Sequence, residues 1–172
     1  LHVRSFLNPD APGTEVSARR SLRAYPVKAL AIVRDQAIVA VAGKGMAGVH
    51  GIAARTFSAV ESERLSVSTI FQASSESSIG FTLPESEADR AVRSIRRVFG
   101  GEIASGLIDN VTWRPGMAVI AVVGDGMAGS PGIAARVFSA LAGARINVVA
   151  IAQGSSERNI SFAINGDDAA EA

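Results

Sequence analysis

The chain has 172 residues, of which 48% are hydrophobic and none is cysteine, so it can bury a globular core but has no disulfide framework and no thiolate metal ligand. Seventeen basic and sixteen acidic side chains leave a formal charge of +1, which excludes the concentrated positive field that nucleic acids and anionic membranes require. Two histidines, His2 and His50, are too few for an all-histidine zinc site, and no apolar run reaches the roughly 18 residues of a membrane-spanning helix. We therefore expect a cytoplasmic protein with no metal, no nucleic-acid partner and no membrane partner.

The first predicted elements follow an N-terminal segment, residues 1–28, that we interpret as a tail or linker. The apolar run at 37–42 predicts a buried strand that ends in glycines. A helix is predicted next, because apolar residues recur at the spacing that places them on one helical face. This face comprises Val49, Ala53, Phe57 and Val60.

Two strands and a second helix follow. The alternation at 65–71 predicts a strand, the serine-rich segment 74–78 a turn, and residues 79–83 the returning strand. Ser86 and Asp89 have the spacing of a capping box, which marks the start of the second helix. The apolar stripe of that helix comprises Ala88, Ala91, Val92, Ile95, Val98 and Phe99.

The chain repeats itself. A displacement of 81 residues makes 22 of the 39 positions from 43 to 81 identical. The glycine-rich segment 43–48 falls on 124–129, and the Gln-x-Ser-Ser-Glu motif at 72–76 falls on 153–157. Chance does not produce this agreement, so the chain contains two copies of one structural unit.

The order strand, helix, strand, strand, helix, strand is that of a ferredoxin-like βαββαβ unit, an α+β fold whose antiparallel sheet carries its helices on one face. We place unit 1 at 29–113, with its last strand within 103–113, and unit 2 at 114–172. Residues 167–172 resemble the opening of a second helix, so we expect a fragment in which the rest of that helix and the last strand of unit 2 are missing. Because each unit leaves a sheet face bare, we expect the units to pair and the whole to form a homodimer or a higher homo-oligomer.

Both glycine loops, Gly43-x-Gly45-x-x-Gly48 and Gly124-x-Gly126-x-x-Gly129, match the dinucleotide-binding fingerprint. That site also needs a parallel sheet and an acidic residue about 20 positions later, where copy one has Glu63 and copy two has Ala144. Two other interpretations stay open. The glycines serve only a tight turn and close packing, or they build a small-molecule site in which free N–H groups at the start of the next helix hold a carboxylate.

Gln72 and Gln153 recur on a predicted strand beside these helix starts. An amide offers donors and an acceptor to the ammonium and hydroxyl of an amino acid, although each amide could instead satisfy a buried backbone group. We expect Glu76 and Glu157 to solvate the hairpin turns and His50 to be a solvated loop residue. No nucleophile, base and orienting group converge in the sequence, so we expect no catalytic residue in this chain.

Two further segments, together with the glycine loops, resemble a known family. Asn8-Pro9-Asp10-Ala11-Pro12-Gly13-Thr14 resembles the segment by which an aspartokinase catalytic domain leads into its regulatory region. The segment Val-Val-Ala-Ile-Ala-Gln-Gly-Ser-Ser-Glu at 148–157 resembles the signature strand of the bifunctional aspartokinase/homoserine dehydrogenases. The chain is thus similar to the tandem ACT domains of aspartokinases, the enzymes that phosphorylate aspartate at the head of lysine, threonine and methionine synthesis.

The resemblance implies two effector sites, because in similar proteins the amino acid lies between two ACT units. One site would use the loop, helix start and glutamine of unit 1 against a strand of unit 2: Gly48, Gly51, Ile52, Ala53, Gln72, Asn147 and Val148. The pseudo-equivalent site would use Gly132, Ile133, Ala134, Gln153, Ser66 and Val67. The second site departs from the first because the short Ser66 stands where the first has Asn147.

The resemblance also implies that this piece is an allosteric region, which binds threonine, or alternatively lysine, and feedback-inhibits its own kinase domain. Threonine is favoured because the similarity leans toward the bifunctional enzymes and because the predicted site residues include no acidic group suited to the ammonium of lysine. No cofactor is expected in this piece, whereas the kinase domain outside it would use ATP and Mg²⁺. Two alternatives from other classes are a nicotinamide-dinucleotide-binding domain that uses the glycine loops, and a purely structural dimerisation module.

Overall fold

The structure, a computed structural model, describes residues 1–17, 25–72 and 75–172. Near the N-terminus, two short antiparallel strands, β1 (His2–Val3) and β2 (Thr14–Glu15), form a ribbon that is not part of the main sheet. The ribbon lies in the predicted tail, and the predictions for residues 18–24 and for residue 74 of the first hairpin turn fall outside the described residues. No helix among the described residues is long and apolar enough to cross a membrane.

The first repeat has the predicted order of elements. They are β3 (Ala29–Ala42), α1 (Ile52–Ser62), β4 (Thr69–Gln72), β5 (Ser78–Pro84), α2 (Glu85–Val98) and a short α3 (Gly100–Ala104). The two glycines at 100–101 do not end the helical region, since α3 follows α2 directly. The next strand consequently starts at Asn110, in the second half of the predicted range 103–113.

The start of α2 differs from the predicted capping box. The helix begins at Glu85, Pro84 is its N-cap residue, and no side chain in the described part of the chain makes a capping hydrogen bond. Ser86 therefore already lies in the first turn, where its side chain cannot cap, and Asp89 pairs with Arg93 instead. Pro84, with φ of −55° and ψ of 133°, has an extended backbone, and the helix begins at the residue after it.

The second repeat contains β6 (Asn110–Val123), α4 (Ile133–Gly143), β7 (Val148–Gln153) and β8 (Asn159–Asn165). A five-residue 3₁₀ helix, Gly166–Ala170, follows at the place where the sequence predicts the opening of a second helix.

One antiparallel sheet of six strands joins the two repeats in the order β4-β5-β3-β6-β8-β7. Its two central strands, β3 and β6, are 14 residues long, and each belongs to both units. The C-terminal half of β3 pairs with β5 in unit 1, whereas residues 29–33 pair with 119–123 of β6 in unit 2. Each strand crosses between units at an equivalent left-handed residue, Asp35 (φ 55°) and Gly116 (φ 67°).

The expectation that the last strand of unit 2 is missing was wrong, because residues 29–33 take that place. The 81-residue displacement extends to this region: Lys28 donates its N–H to the carbonyl of Val123 (2.8 Å), just as Asp109 donates to Ala42 (2.9 Å). The two long strands share few identical residues over this stretch, so the sequence comparison detected the repeat only from Gly43 onward.

The helices and the bare sheet face bury separate clusters. Alternate residues of β3, Ala37, Val39 and Val41, pack beneath α1 and α2, and alternate residues of β6 pack beneath α4. On the opposite face, Ile38, Met117 and Ala163 form a third cluster with Phe71 of β4 and residues of β7. The outermost strands β4 and β7 contact each other, so the sheet curls and its bare face closes on itself.

Candidate functional site

Each glycine loop leads from a central strand to a helix through one 3₁₀ turn, Lys44–Met46 in unit 1 and Asp125–Met127 in unit 2. The turn buries its methionine under the loop. A Cβ atom on Gly43 would lie 2.4 Å from the carbonyl oxygen of Leu107, and one on Gly124 would lie 2.1 Å from that of Pro26. These glycines are therefore required because another backbone segment crosses the loop at contact distance.

The helix after each loop begins with open donors. Gly51 and Gly132 are the N-cap residues of α1 and α4, with left-handed φ angles of 85° and 83°. Among the described residues, no side chain makes a capping hydrogen bond to either helix. The first N–H groups of a helix have no partner within the helix, so these two starts present donors and positive dipole ends to whatever lies in front of them.

A cavity of about 310 Å³ lies at the start of α4. It brings together four residues of the second predicted site, Gly132, Ile133, Ala134 and Gln153. The lining mixes polar and apolar groups, and the space has the size of a small-molecule site. Further lining residues are Met127, Gly129, Ser130, Pro131, Glu157 and Ile160.

The facing wall of this site remains a prediction. Ser66 and Val67 lie between α1 and β4 and are not among the residues that line the cavity. In the first predicted site, Gly48, Gly51, Ala53 and Gln72 are exposed and Ile52 is buried. Asn147 is exposed just before β7, and Val148 is its first residue. The contact between β4 and β7 brings the two groups of elements to one seam.

Glu76 and Glu157 have a role that the sequence analysis missed. Both have a left-handed backbone, and their carboxylates accept hydrogen bonds from the N–H groups of Gly48 (3.2 Å) and Gly129 (2.7 Å). They tie each hairpin turn to its glycine loop, and Glu157 also lines the cavity. Both residues are exposed in the turns, as the interpretation as turn solvation requires, and the contact to the glycine loop is an additional role. The signal for it was the identical spacing of glutamate and glycine in both copies.

The outer side of α1 carries an ion pair that steadies the same helix. Arg55 pairs with Glu102 of α3, donates to the carbonyl of Val98 (2.9 Å) and lies 4.4 Å from the ring centre of Phe99. The hydrogen bond from Arg55 lowers the pKa of Glu102 below its ordinary value, and the same bond raises the pKa of Arg55. Both shifts favour the charged pair.

The dinucleotide interpretation conflicts with the sheet. Both glycine loops leave strands of an antiparallel sheet, whereas that fingerprint works at the edge of a parallel one. Glu63, the residue at the ribose-binding spacing, accepts a hydrogen bond from Arg97 of α2 (3.0 Å). The described residues contain no group of three histidine, aspartate or glutamate side chains placed to hold a metal ion.

The sequence model of the ACT domain family matches residues 39–99 and 120–172. The chain is 41% identical over 170 residues to the bifunctional aspartokinase/homoserine dehydrogenase of Haemophilus influenzae, a match that covers 99% of this chain and 21% of the relative. The ligand-free regulatory subunit of aspartate kinase from Thermus thermophilus is similar with a TM-score of 0.70 and 27% identity, over 86% of this chain and 93% of that one. Escherichia coli aspartokinase III, in complex with lysine and aspartate, is similar with a TM-score of 0.67 and 25% identity, over 88% of this chain and 32% of that one. The chain spans about a fifth of the length of the curated relatives it matches.

Proposed function

The chain belongs to the ACT domain family, and on that premise we propose that it is the allosteric regulatory region of an aspartate kinase. It binds an end-product amino acid and thereby inhibits the phosphorylation of aspartate by the kinase domain of the same polypeptide. The kinase domain would use ATP and Mg²⁺, and the location would be cytoplasmic. The whole would assemble as a homodimer or a higher homo-oligomer through its ACT units.

The observation that carries this proposal is the cavity at the start of α4. Its floor offers the uncapped N–H groups of the helix, which suit the carboxylate of an amino acid. Gln153 and Glu157 line the same space, and an amide and a carboxylate suit an ammonium and a polar side chain. A small zwitterion therefore finds complementary charge at both of its ends.

Threonine is the effector that we favour. The relative from Haemophilus influenzae is a bifunctional enzyme and matches 99% of this chain at 41% identity, whereas the lysine-bound aspartokinase III is only 25% identical. Glu157 favours lysine as the effector, because a carboxylate that lines the cavity suits the ammonium of a lysine side chain. This carboxylate, however, already accepts a hydrogen bond from the N–H of Gly129. Both amino acids therefore belong in the test.

The mechanism is a shift between two arrangements of the paired units. In each predicted site a ligand held by the loop and helix start of one unit would also contact the other unit across the seam. It would therefore bind one arrangement of the pair more tightly, and the kinase domain would respond to that choice.

Titration calorimetry of the chain with threonine, lysine and NAD tests this function. We expect heat with threonine and none with NAD. Gln72→Ala and Gln153→Ala should each remove one class of sites, while Ser139→Ala, an exposed position on α4, should leave binding unchanged. Binding of NAD alone would instead support the dinucleotide alternative, and a stable dimer that binds none of the three would support the structural module.

A further inference from the structure

The segment that leads into the main sheet, residues 25–28, crosses unit 2 beside the cavity. Val27 packs against the unit 2 core, and the backbone of Pro26 crosses the glycine loop where Gly124 and Gly126 have no side chains. We refer to residues 25–28 as the strap. It contacts both elements that line the cavity, the glycine loop of unit 2 and the start of α4.

Lys28 fixes the strap to the glycine loop. Its ammonium lies 3.0 Å from Oδ2 of Asp125, and Oδ1 of Asp125 lies 3.9 Å from Arg158 in the β7–β8 turn. The carbonyl of Arg158 accepts the N–H of Gly124 (3.0 Å). These three charged side chains thus connect the strap, the glycine loop and the β7–β8 turn. The same loop ends at Gly129, which lines the cavity.

Tyr25 fixes the other end of the strap to α4. Its ring centre lies 5.2 Å from the guanidinium carbon of Arg136, a cation–π distance. Arg136 lies in the first turns of α4, and its N–H bonds the carbonyl of Gly132 (3.0 Å), the residue at the cavity floor. The strap therefore holds the helix start as well as the loop.

Unit 1 has the same positions without such a strap. The charges are reversed, since Lys44 stands in the loop and Asp109 on the crossing segment, and the carboxylate of Asp109 accepts a hydrogen bond from the backbone N–H of Lys44 (3.1 Å). Arg55, the counterpart of Arg136, contacts Glu102 and Phe99, which both belong to unit 1. Among the residues that the structure describes, the corresponding contacts lead back to the N-terminal segment in unit 2 alone.

We propose that the strap senses the unit 2 cavity: an amino acid that orders the loop and the start of α4 also tightens residues 25–28, through Lys28–Asp125 and Tyr25–Arg136. This proposal rests on the proposed function. Lys28 and Tyr25 act as positioning residues, since neither lines the cavity. Because coupling is reciprocal, loosening the strap also weakens binding in the cavity. The strap thereby carries the occupancy of unit 2 toward the residues that precede it.

Hydrogen exchange of the whole 172-residue chain tests the coupling, in a Gln72→Ala background so that threonine reports on unit 2. We expect saturating threonine to slow exchange in residues 27–33 at least about fivefold. Lys28→Met should reduce that change below about twofold and weaken threonine binding by up to about fivefold, the range of an exposed ion pair. Lys44→Met, the matched change in the unit 1 loop, should leave both values as they were.

Charge reversal sharpens the test. Lys28→Asp and Asp125→Lys alone should each loosen the strap, because each places two like charges side by side, and the double variant, which again has opposite charges at residues 28 and 125, should restore most of the protection. Lys28 and Asp125 are exposed at the surface, so thermal melts should show all variants folded. Loss of protection that is equal in the double variant and in the single ones would contradict the ion-pair coupling.

The two proposals fail in different ways. If calorimetry shows threonine bound at unit 2 while residues 27–33 exchange as in the free chain, the strap is overturned and the function stands. If neither threonine nor lysine binds, the function is overturned, and the contacts of the strap are then tested by hydrogen exchange of the free chain. Lys28→Met must speed exchange in residues 124–129 at least about twofold. If it does not, or if Lys44→Met has the same effect there, the strap is overturned too.

Discussion

The two units share a loop, a helix start and a hairpin, yet they differ in how completely their cores are closed. Val111 lies under α2 and is 1% exposed, whereas Leu30, at the same place in unit 2, is 60% exposed. A cavity of about 240 Å³ lies beside Leu30, lined in part by Val27, Leu141 and Phe162. The repeat therefore gives both units the same loop and helix start, whereas the burial of this strand position differs, since α2 packs over Val111 in unit 1.

The largest contrast is expected for the paired core phenylalanines. Phe81 is fully buried and packs against Phe57, so Phe81→Ala should lower the free energy of unfolding by about 3 to 5 kcal/mol. Phe162 contacts Phe138 in the same way but borders the 240 Å³ cavity, so its replacement should cost distinctly less. Urea denaturation measures both, and equal losses would mean that the two cores are equally tight.

The strand residues at the second-helix position sharpen the same contrast. Val111→Ala should lower the free energy of unfolding by about 2 kcal/mol, because it removes two methyl groups from a filled site. Leu30→Ala removes more atoms but should cost less than about 0.5 kcal/mol, since most of that side chain already contacts water. A larger loss at Leu30 than at Val111 in denaturation experiments would contradict this difference in burial.

The crossing points of the two long strands test the symmetry itself. Asp35 and Gly116 have left-handed backbones, so Asp35→Gly should stabilise the chain by less than about 1 kcal/mol and Gly116→Ala should destabilise it by about 1 to 2 kcal/mol. Thermal melts of both variants show whether each substitution raises or lowers the stability. Destabilisation by both would show that the side chain of Asp35 contributes more than its backbone strain costs.

The smallest expected effect concerns pH and unit 1. Because the pKa of Glu102 is lower in the folded chain than its ordinary value of 4.5, its pair with Arg55 stabilises fully above that value and loses its effect as the pH falls through the folded value. In Glu102→Gln the free energy of unfolding should therefore fall slightly less steeply below pH 4.5 than in the original chain. Unfolding midpoints measured at a series of acidic pH values test this. Arg136 is the unit 2 counterpart of Arg55 and has no such carboxylate partner among the described residues, so Arg136→Gln should leave the pH dependence of stability below pH 4.5 unchanged. An equal change in both variants would contradict the role of the Arg55–Glu102 pair.

The sequence predicted the parts of this molecule that repeat locally. The glycine loops, the helices that follow them and the hairpins are predicted by identities between residues 43–81 and 124–162 and by strand and helix periodicity. The shared strands were not predictable in the same way, because residues 29–33 pair with a partner about 90 positions away and show no identity with their counterparts. Gly132, Ile133, Ala134 and Gln153 of the second predicted site line one cavity, and their role in binding stays a prediction. Glu157 was missed, because a turn residue that reaches back to a loop leaves no periodic signal.

The two long strands have a consequence for how this chain can be divided. Each of them completes one half of the molecule before it begins the other, so a cut between the halves at residue 113 or 114 would sever β6 in mid-strand and leave each half with an unpaired sheet edge. Separately expressed halves should therefore aggregate or exchange strands with one another, as in a domain swap. The smallest piece that can be expected to fold and bind alone is the interlocked pair.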